Sequence, residues 1–485
     1  MIFGDKYYIL FITIVVFVFY ALVPRLRPAF LLAVSYVFYS CFNLAHLLVL
    51  LVVSAVAYWG GLAVAGANNQ DRGRYFTLSL ILAMSPLIFF KYFKFLAASL
   101  LAPLGVVLPE PLTTLPLPIG ISFFTFQAVA YLADIHIGIL PAERSRLRVG
   151  LFLAFFPIVI AGPIERGSHL LKQLTFSHPF SGRDFLSGLQ SILIGLVLKL
   201  AVADTLAGPA GEAYANTARM NGLDLLLGTI FFAFQVYADI AGYSLIAIGS
   251  ARMLGVGLTP NFRQPYLSAN IQEFWRTWHI SVATWLRDYL YTPLAHHWRR
   301  WGWRGRTLAL LTTFFLAGLW HGAAWTFVCF GVMHGIYMSV SSLTLAARDR
   351  FWGRVGVPRL AVIMFRVPTT FLMVVASFVL FLSASLKEAF FVFGKIASTN
   401  VLFQLGRVLS NPTPGMPFSF NMSVTSVHWY CVAGLIAWDL AERNGVKLQR
   451  MPVIVQAVLY GAGIVTIALA WSGNNVAQSF VYNRF

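Results

Sequence analysis

Long runs of apolar residues, separated by short polar gaps, dominate the chain. A helix needs roughly 20 mostly apolar residues to cross the core of a bilayer. The longest runs are Tyr8–Val23, Leu47–Val64, Phe76–Phe95, Phe185–Val202, Leu223–Leu254, Leu308–Val340 and Pro368–Leu386. Further candidates are Ile119–Ile139, Leu151–Gly162, Val427–Leu440 and Ile454–Trp471. Together they predict an all-α polytopic membrane protein with about 11–13 membrane segments, some of them re-entrant.

Residues 259–306 have a different pattern, in which polar and aromatic side chains alternate without a long apolar run. The region is too polar to span a bilayer and too aromatic for an ordinary solvated loop, so we expect it to be interfacial or re-entrant. If residues 271–291 form one helix, Trp275 and His279 share a face with Ala283. Arg276 and Arg287 would flank that face.

Two Trp-His pairs lie 42 residues apart, Trp278-His279 and Trp320-His321. The second pair lies within the run 308–340, predicted as a membrane segment, where Gly318 and Gly322 flank His321 and permit close approach of another helix or a ligand. An imidazole titrates near neutral pH and can take a proton from a hydroxyl, and burial would keep it neutral and basic. Spacing alone leaves both a structural and a catalytic role open for each histidine.

The other histidines and the aromatic neighbours have simpler interpretations. We expect His296, His297 and His334 to be interfacial or structural. The indole N–H groups of Trp278, Trp320 and Trp325 are candidates to donate hydrogen bonds to a substrate or to shape its path.

Composition supports the membrane assignment, since 59% of the residues are hydrophobic and only 11% are charged. The net charge of +18 comes from basic residues in short gaps, which is typical of cytoplasmic loops. Anionic lipid headgroups are therefore the expected partner of these charges, and nucleic acid is not. The run Arg299–Arg306 also fits the phosphates of a nucleotide-bearing donor, although a lipid anchor is favoured.

Metal and cofactor motifs are not evident in the sequence. Cys41, Cys329 and Cys431 are isolated and give neither a metal-ligand spacing nor a disulfide framework. HExxH, GxSxG and glycine-rich phosphate motifs do not occur. We therefore predict neither a bound metal nor a tightly bound cofactor.

In the two Trp-His pairs and the segments around them, the chain resembles the membrane-bound O-acyltransferase family, in its bacterial alginate O-acetyltransferase branch. The resemblance covers most of the chain and rests on several motifs in one order. These motifs are Pro118–Gln127 with Asp134, Phe155–Pro157, Ala161–Arg166, Gly195–Asp204, Tyr237–Ser244, Asn261-Phe262 with Pro265-Tyr266, Glu273–Leu294 and Trp320–Trp325.

The resemblance implies a funnel-like fold of about eleven transmembrane helices, with re-entrant or interfacial helices around a central tunnel. It makes residues 1–485 a single membrane domain in the bacterial inner membrane. His321 and His279 match the family's histidine pair, and His321 is the stronger catalytic candidate. Substrate-binding candidates are Trp278, Trp320, Trp325, Arg276, Arg287, Asp288 and Tyr289.

The activity implied is transfer of an acetyl group from acetyl-CoA, or another cytoplasmic acyl donor such as an acyl carrier, to hydroxyls of an exported polysaccharide. An exported partner resembling SGNH hydrolases would complete the transfer. One alternative is D-alanyl transfer from a carrier protein to teichoic acid. Another is a polymer or ion transporter, against which stand the lack of sequence repeats and of a clear series of intramembrane carboxylates.

Overall fold

The computed structural model describes residues 5–93, 95, 115–400, 422, 424–446 and 448–472. Every regular element in this part of the chain is helical, which confirms the predicted all-α fold class. The first ten helices are α1 (Lys6–Ala21), α2 (Arg27–Ser40), α3 (Leu44–Gly66), α4 (Arg72–Leu87), α5 (Ile121–His136), α6 (Arg146–Ala154), α7 (Gly167–Gln173), α8 (Gly182–Leu196), α9 (Asp204–Ala215) and α10 (Gly222–Met253). The others are α11 (Ile271–Thr277), α12 (Ile280–Leu286), α13 (Thr292–His297), α14 (Gly302–His321), α15 (Trp325–Val355), α16 (Arg359–Leu382), α17 (Leu386–Ser398), α18 (Ser426–Arg443) and α19 (Val453–Ser472).

Several of these helices are joined by wider π-helical turns rather than by loops. Such turns extend α4 through Ile88–Tyr92, link α8 to α9 through Val197–Ala203, and link α12 to α13 through Arg287–Tyr291. Pro293 does not end this helical stretch, which continues through α13 to His297.

Seven helical stretches in the described residues are long and apolar enough to cross a membrane. They are Leu44–Gly66, Arg72–Tyr92, Gly182–Ala215, Gly222–Met253, Trp325–Val355, Arg359–Leu382 and Val453–Ser472. The protein is therefore a multi-pass membrane protein. The figure of about eleven spans stays a prediction, since α1, for example, is a shorter apolar helix of 16 residues.

The chain divides into two compact units, one of Met1–Gly195 with Tyr243–Pro260 and one of Leu196–Gly242 with Asn261–Phe485. Within the first unit, α3 packs against α4 and α5, and α2 packs against α6. Large aromatic side chains such as Tyr39 and Phe124 fill its interior. The single domain over residues 1–485 stays a prediction.

The second unit contains both Trp-His pairs. Here α14 packs along α15, and α15 also contacts α11 and α16. Its core is aromatic, with the rings of Phe232, Phe330, Phe378 and Phe381 packed against one another. These rings surround the region in which the histidines lie.

Two predicted segments differ from the structure. Residues 308–340 are not one membrane segment but the end of α14 and the start of α15, because Gly322 and Ala324 adopt extended backbone that ends the first helix. The run Leu151–Gly162 is helical only as far as Ala154, at the end of α6.

A buried ion pair links the turn after α8 to α10, in segments apolar enough to span the membrane. The Lys199 ammonium lies 2.7 Å from a carboxylate oxygen of Asp239 and 2.9 Å from one of Asp204. The side chains of Lys199 and Asp239 are each only 2% exposed. This pair is hard to recognise in the sequence, because Asp239 is the one charged residue between Leu225 and Ala251 and forms no pattern with others.

Candidate active site

The first Trp-His pair interrupts a helix. The Asn270 side chain caps α11 by accepting a hydrogen bond from the Glu273 N–H at 2.9 Å, and the helix ends at Thr277. Trp278 is extended, and His279 adopts φ 43° and ψ 53°, a left-handed conformation that is uncommon for a residue with a side chain. The single helix predicted for 271–291 is therefore wrong, since the break changes the direction of the chain at the histidine.

Residues upstream hold this break in place. The backbone carbonyl of Asn261 accepts a hydrogen bond from Ile280 N–H at 2.8 Å, and Arg263 N–H donates to the Thr277 carbonyl at 3.0 Å. The side-chain oxygen of Asn261 accepts from Ser281 N–H at 3.1 Å. These bonds offset the cost of about 1–3 kcal/mol that a left-handed residue carries.

His321 is the last residue of α14, where the extended Gly322 ends the helix. The turn that follows brings α15 back along α14, with Gly318 directly against Gly331. A Cβ at Gly318 would overlap the carbonyl oxygen of Phe327, and one at Gly322 would overlap the Phe327 ring. The expected close approach at both glycines is confirmed.

We expect Gly318→Ala to lower stability by about 1–3 kcal/mol, because the added methyl group meets backbone rather than a flexible side chain. Thermal unfolding of the detergent-solubilised protein measures the loss. Gly353→Ala on α15 is the matched control, since nothing lies within 4 Å of the added Cβ. A Gly318→Ala protein that melts with the wild type would contradict the close crossing.

The two predicted histidines border one cavity in the second unit. The cavity is narrow and its walls are mostly apolar. The side chains around it are Val236, Ile240, Phe274, Trp275, Trp278, His279, His321, Phe330, His334, Val374, Phe378 and Phe381. The structure thus brings together residues that are 42 positions apart, and Trp278 lies beside them as predicted.

A third histidine, His334, also borders this cavity. Its expected role was interfacial or structural. It is buried, and its Nδ1 accepts a hydrogen bond from the Trp275 indole at 3.3 Å. Its Nε2 lies 2.9 Å from Ser377 Oγ, which in turn donates to the Val374 carbonyl. Since both ring nitrogens are engaged, His334 fixes Trp275 and α16 rather than offering a base to the cavity.

A second, larger cavity lies on the other side of Trp275, with about 1240 Å³ of empty space. Arg276 and Arg287 border it, together with Tyr291. Trp275 borders both cavities, so its indole is a wall shared by the two. The predicted arginines therefore face a neighbouring space and not the histidine cavity.

The remaining predicted site residues border neither cavity. The Trp320 ring is buried between the two histidines, with its centroid 6.1 Å from that of His279 and 4.7 Å from that of His321. Trp325 is 56% exposed at the start of α15. Asp288 forms an ion pair with Arg287 at 2.8 Å, and the Tyr289 ring packs on Trp285.

The electrostatics of the histidine cavity favour an uncharged imidazole. His279 is 3% exposed and lies outside the seven candidate spans. Burial lowers its pKa to about 3, because the cation loses its hydration. No carboxylate and no arginine or lysine of the described residues borders this cavity, so His279 is uncharged at cellular pH.

The cavity bordered by three histidines thus lies in a helical multi-pass membrane protein. A profile of the membrane-bound O-acyltransferase family matches residues 145–385. A probable alginate O-acetylase of Azotobacter vinelandii is 38% identical over 350 residues, which cover 70% of this chain and 68% of that protein. The chain belongs to the membrane-bound O-acyltransferase family, and the resemblance seen in the sequence is confirmed.

Two other relatives differ in substrate. A peptidoglycan O-acetyltransferase of Helicobacter pylori is 32% identical, over 68% of this chain and 67% of that protein. A teichoic acid D-alanyltransferase of Bacillus subtilis is 27% identical, over 46% of this chain and 58% of that protein. The similarity is thus more extensive to the relatives named for O-acetyl transfer.

Proposed function

We propose that this protein transfers acetyl groups from a cytoplasmic donor to hydroxyls of an exported polysaccharide. The observation that carries the proposal is the meeting of His279 and His321 at one buried cavity. The names of the relatives that match most of the chain support acetyl as the group and a polysaccharide as the acceptor. In this proposal His321 is the general base and His279 assists it.

The chemistry follows from these roles. His321 takes the proton of the attacking hydroxyl as its oxygen bonds to the acetyl carbonyl carbon. The C–S bond of the thioester donor then breaks, and the proton passes from His321 by way of His279, which accepts it and gives it up at the same nitrogen, to the leaving thiolate. The apolar walls exclude water, which strengthens each electrostatic interaction and limits hydrolysis of the donor.

The larger cavity is the proposed site of the donor, with acetyl-CoA as the first candidate. Its arginines, Arg276 and Arg287, suit the phosphates of a nucleotide-bearing thioester. Asp288 neutralises part of the charge on Arg287, so Arg276 is the main anion-binding group. The thioester end would then reach the histidine cavity past Trp275.

Arg276→Ala should raise KM for acetyl-CoA about tenfold and leave kcat nearly unchanged, since the phosphate contact is the same in the ground and transition states. Arg276→Lys keeps the charge and should recover part of the affinity. Initial rates with labelled acetyl-CoA test this, with Arg354→Ala, an exposed residue outside the cavity, as the control. An unchanged KM in Arg276→Ala would place the donor elsewhere.

The acyl source also separates acetyl transfer from D-alanyl transfer. Acetylation supported by acetyl-CoA with inside-out membrane vesicles favours the proposal. Labelling that needs a D-alanyl-loaded carrier protein favours the alternative, which the more distant D-alanyltransferase relative makes the second candidate.

The location and the partners of the protein follow from its donor and its acceptor. A cytoplasmic donor and an exported acceptor require a protein in the bacterial inner membrane, with lipids around its apolar helices. An exported SGNH-hydrolase-like protein would take the acetyl group and pass it to the polymer. Capture of labelled acetyl on such a purified domain, dependent on His321, is the test.

A further inference from the structure

The side chain of Asn261 contacts the histidine at the helix break. It is buried and lies 18 residues before His279 in the sequence. Its side-chain oxygen lies 3.2 Å from His279 Nδ1. The same oxygen lies 3.1 Å from the backbone nitrogen of Ser281 and 3.0 Å from its hydroxyl oxygen.

These contacts fix the direction of the hydrogen bonds. The backbone N–H of Ser281 can only donate, so the amide oxygen of Asn261, and not its NH₂ group, points at this cluster. An amide oxygen can only accept. His279 Nδ1 must therefore carry the hydrogen, and in the neutral ring the lone pair then lies on Nε2.

We propose that Asn261 is a positioning residue that holds His279 in the Nδ1–H tautomer, so that Nε2 is the nitrogen that exchanges protons in the cavity. The inference rests on the proposed function of the cavity and goes beyond it by assigning the nitrogen and the residue that selects it. Asn261 acts through His279 and borders neither cavity.

A neutral amide suits this task better than a carboxylate. A carboxylate at the same distance would stabilise the imidazolium and hold back the proton that His279 has to exchange. The other titratable groups of the described residues that border the cavity are His321 and His334. With Asn261 as the partner of Nδ1, burial keeps His279 uncharged.

Three variants test the assignment. Asn261→Leu has a similar volume but no acceptor, and Asn261→Asp keeps an acceptor and adds a charge. Ser281→Ala is the matched control, since it removes one donor from the Asn261 oxygen and leaves the Nδ1 contact intact. Each protein is purified in nanodiscs and assayed at pH 7.5 with labelled acetyl-CoA, alginate oligosaccharides and the purified exported partner domain.

We expect kcat of Asn261→Leu to fall about 10- to 100-fold with KM for acetyl-CoA unchanged, by analogy with the loss of partners that orient metal-bound histidines. In Asn261→Asp the pH profile of the His279 nitrogen-15 NMR signals should move to higher pH by about one unit or more, because the carboxylate favours the charged ring. Ser281→Ala should stay within about threefold of the wild type.

Wild-type kcat in Asn261→Leu, or an Asn261→Asp pH profile that superimposes on that of the wild type, would overturn the assignment. Nitrogen-15 NMR of histidine-labelled protein in lipid reads the tautomer without turnover, with His279→Gln identifying the signal. A protonated Nδ1 supports the assignment, and a protonated Nε2 rejects it. A wild-type protein that transfers no acetyl group contradicts the proposed function instead, and the NMR result still decides the tautomer.

Discussion

His321→Ala is expected to reduce acetyl transfer by about 10²- to 10⁴-fold, the usual contribution of a general base. His279→Ala should give a smaller loss, since its proposed role is to assist. Both rings border the same buried cavity, so the measurement is kcat with labelled acetyl-CoA in nanodiscs, at matched protein yield.

The control for both is His297→Ala, which replaces an exposed histidine that borders neither cavity. It should retain wild-type activity. If His321→Ala also turns over at the wild-type rate, His321 is not the base and the proposed mechanism is wrong. If His279→Ala loses more activity than His321→Ala, the two roles are reversed.

Lys199→Met is expected to cost about 3–5 kcal/mol of stability, because it leaves the buried Asp239 carboxylate without its cation. Thermal unfolding in detergent should show a strongly lowered Tm. The methionine has a similar length, so the loss reports the charge rather than a cavity.

The double variant Lys199→Met with Asp239→Asn should recover much of this loss, because the neutral amide is far less costly to bury than an unpaired carboxylate. Arg252→Met serves as the comparison. Its ion pair with Asp184 is about half exposed and longer, at 3.7 Å, and should contribute little. Equal Tm values for Lys199→Met and the wild type would show that the buried pair does not stabilise the fold.

Most helices could be predicted because long apolar runs indicate helices that are buried in lipid or in the protein core. The predicted runs 47–64 and 223–254, for example, correspond to α3 and α10. Helix α2 was missed because Ser35, Tyr36, Tyr39 and Ser40 interrupt its apolar pattern. Its buried Tyr39 hydroxyl instead donates to the Ile119 carbonyl, a long-range contact that no local pattern contains.

The sequence predicted three of the residues that border the histidine cavity, His279, His321 and Trp278, but not the geometry that brings them together. The break at His279 depends on Asn261, which is distant in sequence and gives no periodic signal. Gly322 was a usable signal for the end of α14, and the apolar run across it concealed the break. His334 was expected to be interfacial or structural, and its buried contacts with Trp275 and Ser377, on two other helices, agree with the structural role.

The positions of the two histidines on their helices have a further consequence. His279 directly precedes the amino end of a continuous helical stretch, Ile280 to His297, whereas His321 ends the 20-residue helix α14. Aligned peptide dipoles make the amino end of a helix repel a positive charge and the carboxyl end attract one. The two imidazole rings are chemically identical, but the helix dipoles around them differ. A proton taken from the acceptor is therefore more stable on His321. Exchanging the two roles would require a change in the helices as well as in the side chains.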